Sequence, residues 1–218
     1  MQPRAGKQMR YILLAATGIR IGEMMALNVE HIVDQHTTVR VRHSVWRKHI
    51  GAPKLNSVRD VDLASPVAVL LGRFLKGRTS GPLFRTRSGK RELTRNALRR
   101  FHSLLKKLGM AERGFHAFRR FRISTLRADG LPGKDGVPEH LINYWTGHKD
   151  QTMNGKYDYS SRTLVGWRKG WAERAGCGFD VPNLNPEPGQ NWSGNAVDGP
   201  NFGPNFGPNL TNAQLGCI

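Results

Sequence analysis

Cysteine, carboxylates and long apolar runs are all scarce in this sequence. The two cysteines, Cys177 and Cys217, lie far from any other good metal ligand, which excludes a disulfide framework and argues against a zinc site. There is no run of about 18 apolar residues, the length a membrane helix needs. The apolar stretch at residues 12–16 is too short for the core of a secretion signal. These absences point to a cytoplasmic protein in a reducing compartment, with no membrane partner. The sequence also lacks a Gly-rich Lys-Ser/Thr phosphate loop and any carboxylate cluster at metal-binding spacing, so no cofactor is expected.

What the chain has in excess is positive charge. Its 218 residues carry 34 Lys plus Arg against 16 Asp plus Glu, a formal net charge of +18. The last 42 residues hold three acids (Asp180, Glu187 and Asp198) and no Lys or Arg, so the first 176 residues carry +21. Such a surplus implies a polyanionic partner, with nucleic acid the leading candidate. A ribosomal protein or a cationic membrane-surface binder would share the total charge.

Apolar periodicity divides the first part of the chain into elements. Tyr11, Leu14, Ala15, Ile21, Met24 and Met25 recur at helical spacing and are interrupted by Thr17 and Gly18, which predicts two helices around a tight turn, with Arg20 opening the second. Residues 29–50 and 58–63 are rich in β-branched side chains and predict a small antiparallel sheet, with Lys54 in the turn before its last strand. Ser65 followed by Pro66 predicts a helix start for 67–76, and Thr94 a cap for a helix running to 108, before Gly109. On that helix Leu98, Phe101, Leu104, Leu105 and Leu108 form one stripe. Arg95, Arg99 and Arg100 fall largely elsewhere, as either a solvated face or phosphate contacts.

Further helices are predicted over 116–128, 139–145 and 161–174, with a Gly- and Pro-rich loop at 129–138. In the last of these helices Leu164, Trp167 and Trp171 share a face. From residue 177 the composition changes: 42 residues contain 8 Asn, 7 Gly and 6 Pro, with Asn-Phe-Gly-Pro repeated at 201–204 and 205–208. Such a tail cannot bury enough apolar surface to offset its chain entropy, and is expected to be disordered.

Three segments carry chemistry when taken together: Thr17, Gly18, Arg20 and Glu23; then His116 and Arg119; then Gly147 and His148, followed by Tyr157. Their order and spacing resemble the tyrosine recombinase, or phage integrase, family, whose pattern is Arg, Lys, His-x-x-Arg, Gly-His and Tyr. The resemblance runs from about residue 11 to 159. It implies a catalytic domain over 1–176 that is mainly α with a small antiparallel β-sheet. It places the family's catalytic groups on Arg20, Lys54, His116, Arg119, His148 and Tyr157, with Glu23 supporting Arg20 and Arg59 at the usual distance behind Lys54. Arg120 stands where the family often has another histidine, and the 129–138 loop is longer than usual. Family members carry a further helix and a separate helical domain before the first arginine, so the resemblance implies an amino-terminally shortened chain.

The chemistry accounts for these residue types. A phosphodiester is an unreactive anion, and attack on it requires donors around the oxygens where charge grows. Arg20 and Arg119 suit this task because a guanidinium stays charged and offers a fork to phosphate. His148 adds a donor. A phenol with a pKa near 10 needs its proton removed during attack, and His116 is the candidate base. Lys54 would return a proton to the departing 5′ oxygen, as the family resemblance implies. Tyr159 competes with Tyr157 as nucleophile, although the distance in sequence from His148 favours Tyr157. The implied partner is double-stranded DNA, bound by an assembly of four subunits. A type IB topoisomerase-like enzyme and an inactive DNA-binding remnant are the rival readings.

Overall fold

The front of the chain is organised by a helix that stops at a glycine. The computed structural model describes residues 3–47, 49–127, 136–148 and 164–182. Helix α1 (Pro3–Thr17) buries Met9, Ile12, Leu13, Leu14 and Ala16 at helical spacing. Gly18 ends it with φ 65° and donates its N–H to Leu14 O at 2.9 Å, the left-handed geometry glycine adopts without penalty. Helix α2 (Ile21–Ala26) follows, with Arg20 as its N-cap rather than its first residue.

The β region is two units where a single sheet was expected. Strands β1 (Ile32–Val33), β2 (Thr38–Val41) and β5 (Arg59–Asp62) form an antiparallel sheet in the order β1-β2-β5. Strands β3 (Ser44–Trp46) and β4 (His49–Gly51) form a separate hairpin. The break falls after Val41, where the backbone ladder ends and the Arg42 guanidinium instead donates to Asp60 Oδ1 at 2.7 Å and to Arg59 O at 2.9 Å of β5. Val39, Val41 and Val61 line the buried face of the larger sheet.

Helices α3 (Ser65–Leu75), α4 (Thr94–Lys107), α5 (His116–Arg127) and α6 (Glu139–Thr146) complete the body, with α7 (Val165–Ala175) packed on β5. Neither expected hydroxyl cap forms. Ala64 and Leu93 occupy the N-cap positions of α3 and α4, and each hydroxyl residue sits one place inside. Ser65 donates its hydroxyl and its N–H to Glu173 of α7, at 3.0 and 2.8 Å, so a tertiary partner takes the group a local cap would have used. Tyr11, Phe101, Phe115 and Phe118 bring α1, α4 and α5 together, with Phe101 and Phe115 stacked at 4.9 Å and Tyr11 and Phe118 at 5.9 Å.

Helix α7 returns to its own core. Arg168 and Asp62 are nearly inaccessible, at 2% and 0% side-chain exposure, and pair at 2.9 Å, while Trp145 Nε1 donates to the same Asp62 oxygen at 3.0 Å. Trp167 and Trp171 pack against the core, whereas Leu164 is exposed and leaves the face it was expected to share. Packing continues beyond residue 176: Cys177 is buried, and Phe179 and Val181 lie on the core. Most of the 129–138 loop and of the Asn- and Pro-rich tail falls outside the described residues. Among the described residues, no helix is long and apolar enough to cross a membrane.

Breaking one side of a buried ion pair costs about 3–5 kcal/mol, because the remaining charge stays buried. Arg168→Met should therefore lower unfolding stability by about that amount, measured as the denaturant midpoint. A loss below about 1 kcal/mol, the range of surface pairs, would show that the clasp between α7 and β5 is not a structural anchor.

Candidate active site

Two glycine turns bring the predicted groups together. The turn at Gly18 ends α1 and presents Arg20 at the mouth of α2. The turn at Gly147 ends α6 with φ 66° and presents His148. A side chain at residue 147 has no room, since a Cβ there would lie 2.7 Å from the Arg59 guanidinium. Each turn also supplies a carbonyl. Gly18 O accepts from Arg119 Nη1 at 3.0 Å, and Gly147 O accepts from Arg20 Nη2 at 3.1 Å. Arg119 is thereby tied to the turn that precedes Arg20, and Arg20 to the turn that precedes His148.

Glu23 holds the arrangement from beneath. Its carboxylate is 0% exposed and accepts from Arg20 Nη1 at 3.0 Å, from the Arg20 backbone N–H at 2.9 Å and from Arg59 Nη2 at 2.7 Å. Arg59 also donates to Trp145 O at 2.8 Å and Ser57 O at 2.9 Å. Burial alone would raise the pKa of Glu23, but the Arg59 hydrogen bond and the Arg59 and Arg20 charges outweigh it, and the net shift is downward. Glu23 is therefore an anion shared by two cations, and Arg20 is fixed at both backbone and side chain.

Arg119 lies on the buried side of α5, 2% exposed, with Nη2 buried and without a hydrogen-bond partner among the described residues. Burial, then the Arg20 charge, lowers its pKa to about 10, so it stays charged at neutral pH. His116, one turn earlier, has a lowered pKa from loss of solvent and from the charges of Arg119, Arg120 and Arg20. His148 is lowered by burial and by Arg119, Arg20 and His116. Thus Arg20, His116, Arg119 and His148 feel one another's fields, and both imidazoles favour the neutral form.

The other predicted residues stand apart. Lys54 is exposed on the 3₁₀ turn Lys54–Asn56 before β5, outside this hydrogen-bond network among the described residues. Arg95, Arg99 and Arg120 are exposed. Arg100 is partly exposed, and its guanidinium is paired with the buried Glu92. Tyr157 and Tyr159 lie outside the described residues. Arg122 is a buried cation that the sequence reading did not single out; it donates to Gly176 O at 2.8 Å, and burial lowers its pKa to about 10. Its position three residues after Arg119, on the same inward helix face, is the signal that could have found it.

The chain matches the phage integrase family over residues 6–163, and it belongs to that family. The integrase of the Tn1549 transposon, solved in complex with a circular intermediate DNA, is 21% identical with a TM-score of 0.56, covering 73% of this chain and 57% of that one. The same integrase in complex with transposon right end DNA gives 20% identity and a TM-score of 0.53, covering 72% and 58%. At this identity the likeness is one of fold, that of the tyrosine recombinase catalytic domain, and this chain spans under two thirds of those chains. No curated protein sequence matches it.

The depressed pKa of Glu23 fixes the sign of a pH effect. Its contribution to stability is complete above the unfolded carboxylate value of about 4.3 and is lost as the pH falls through the lower folded value. The stability difference between the wild type and Glu23→Gln, read from urea midpoints, should therefore be largest near pH 7 and shrink on acidification toward pH 3. A difference that grew on acidification would contradict the ion-pair account of Glu23.

Proposed function

We propose that this chain is the catalytic domain of a site-specific DNA recombinase, which cuts and rejoins double-stranded DNA by phosphoryl transfer to Tyr157. The observation that carries the reading is that the turns at Gly18 and Gly147 bring Arg20 and Arg119 within reach of each other's charge, beside His116 and His148. Among the described residues, buried Arg119 has no acceptor at Nη2, and a phosphate oxygen is the acceptor such a group would meet. In the proposed reaction the Tyr157 phenol oxygen attacks the scissile phosphorus while His116 accepts its proton. The bond to the 5′ oxygen breaks, and Lys54 donates a proton to that leaving group. Arg20, Arg119 and His148 donate to the non-bridging oxygens as their charge rises.

The product is a 3′-phosphotyrosyl link, which conserves the energy of the broken ester. Attack by a 5′ hydroxyl from a second duplex reverses the step and joins new strands, and an assembly of four subunits would bring two duplexes together. Arg95, Arg99 and Arg120 are exposed cations suited to backbone phosphates, whose contacts dominate DNA affinity.

A duplex nicked beside the cleavage site tests the reading, because loss of the short fragment traps the covalent adduct. Wild-type protein should form an adduct that resists denaturing electrophoresis, Tyr157→Phe none, and Tyr159→Phe an undiminished amount. If Tyr159→Phe alone abolishes it, the nucleophile is Tyr159; if the wild type forms none on any nicked duplex, the chain is an inactive remnant. Joined products from two duplexes distinguish recombination from relaxation of one duplex by a single chain.

Loss of Arg119 should slow adduct formation by about 10²-fold or more, the cost of removing one transition-state donor. Because the His116 pKa is lowered, cleavage should hold constant from pH 8 down past the ordinary histidine value of about 6.5 and fall only at more acid pH. A rate that halves at or above that value would remove His116 as the base.

A further inference from the structure

A second concentration of cations surrounds a cavity away from the Arg20 group. The cavity, of about 730 Å³, opens between the front of α1, the end of α3, residues 83–89 and the start of α4. Its lining includes Lys7, Arg10, Arg85, Arg87 and Arg100 against one carboxylate, Glu92, and none of the residues of the candidate active site. Helix α1 separates the two: Arg10 lies about 10 Å along it from Thr17, at about 1.5 Å per residue.

Arg10 is the informative group. It is 3% exposed, its Nη2 donates to Glu92, and its guanidinium carbon sits 5.1 Å from the centre of the Phe84 ring. Its Nε and Nη1 are buried and have no hydrogen-bond partner among the described residues. Glu92 is itself buried and shared with Arg100, so one negative charge serves two guanidiniums. Buried donors without acceptors cost free energy, and an anion in the cavity would give them partners. Arg85 and Arg87 stand exposed at the mouth, on a turn held by the Thr86 N–H to Lys90 O at 2.8 Å and the Gly89 N–H to Thr86 O at 3.0 Å. The Thr86 hydroxyl also donates to Lys90 O at 3.1 Å and lies 3.0 Å from the Ser88 hydroxyl, which braces the turn.

We propose that this cavity binds a phosphate-bearing ligand, with Arg10 at its floor and Arg85 and Arg87 at its mouth. Forked guanidinium donors match phosphate oxygens, and the apolar wall of Phe74, Leu83 and Phe84 lowers the local dielectric and strengthens the attraction. The volume falls within the roughly 300–1,000 Å³ of small-ligand sites and exceeds the needs of one phosphate. A soluble polyphosphate or a stretch of nucleic-acid backbone presents the same chemistry. The inference does not depend on the proposed cleavage reaction.

Calorimetric titration of the full chain with inorganic pyrophosphate tests it. Saturable binding is expected, weakened at least about fivefold in Arg85→Gln/Arg87→Gln and unchanged in Lys106→Gln/Lys107→Gln, which removes the same charge elsewhere. Arg10→Gln should abolish it. Because that change breaks a buried ion pair, the exposed double variant, with a melting temperature equal to the wild type's, decides the matter should Arg10→Gln not fold. Adduct formation at saturating nicked duplex should be retained in Arg85→Gln/Arg87→Gln, which separates failure here from failure of the recombinase reading. If DNA backbone is the natural ligand, pyrophosphate displaces a short duplex, and the double variant reduces the salt dependence of duplex binding by about two counterions. If the ligand is a soluble phosphate compound, duplex binding is unaffected. Absence of saturable binding at millimolar pyrophosphate, or equal weakening in the two double variants, would overturn the proposal.

Discussion

A buried carboxylate with two arginines on it is the constraint around which the candidate site is built. Glu23 is wholly inaccessible, yet it stays ionised because Arg59 and Arg20 reach it from opposite directions in the chain. Such a triad is expensive to bury, and it holds only while each member keeps its hydrogen bonds. That demand fixes α2 against β5 and, through the Trp145 carbonyl, against α6. Arg20 therefore projects from a frame that cannot be altered at one point without leaving a charge unmatched.

The balance of charge around this frame explains why the region can hold an anion. Arg20, Arg59 and Arg119 are gathered about one glutamate, and loss of solvent, then the charges of Arg119 and Arg20, lower the pKa of both imidazoles. Since the histidines do not add to the positive charge near neutral pH, the repulsion among the arginines is limited. The imidazoles are then available to accept or donate a proton. Preorganised donors in a partly desolvated site act strongly on developing charge because they need not reorient when it appears.

The parts of this architecture legible in the sequence were those with a periodic or local signature. Apolar spacing located the helices, alternation located β2 and β5, and Gly18, Gly109 and Gly147 marked turns because a positive φ there favours glycine. Arg20, His116, Arg119 and His148 were identified by their order, which fits a known family, and not by any property each has alone. What stayed hidden was tertiary. Ser65 and Thr94 looked like caps, but a cap is settled by competition, and Glu173 won Ser65 from more than a hundred residues away. The pairing of Arg100 with the buried Glu92 had no signature in the helical stripe. Nothing periodic announces that Asp62 will meet Arg168, since one buried contact between distant elements leaves no repeat.

Trp145 gives the fold an unusual junction. Its indole N–H is held by Asp62, which also grips Arg168 of α7, while its carbonyl supports Arg59 and so, through Glu23, Arg20. One residue thus splices the closing helix of the described chain to the arginine that follows its first turn. That helix is thereby a keystone of the scaffold around the candidate site: the front of the described chain keeps its shape partly because this helix is locked in place.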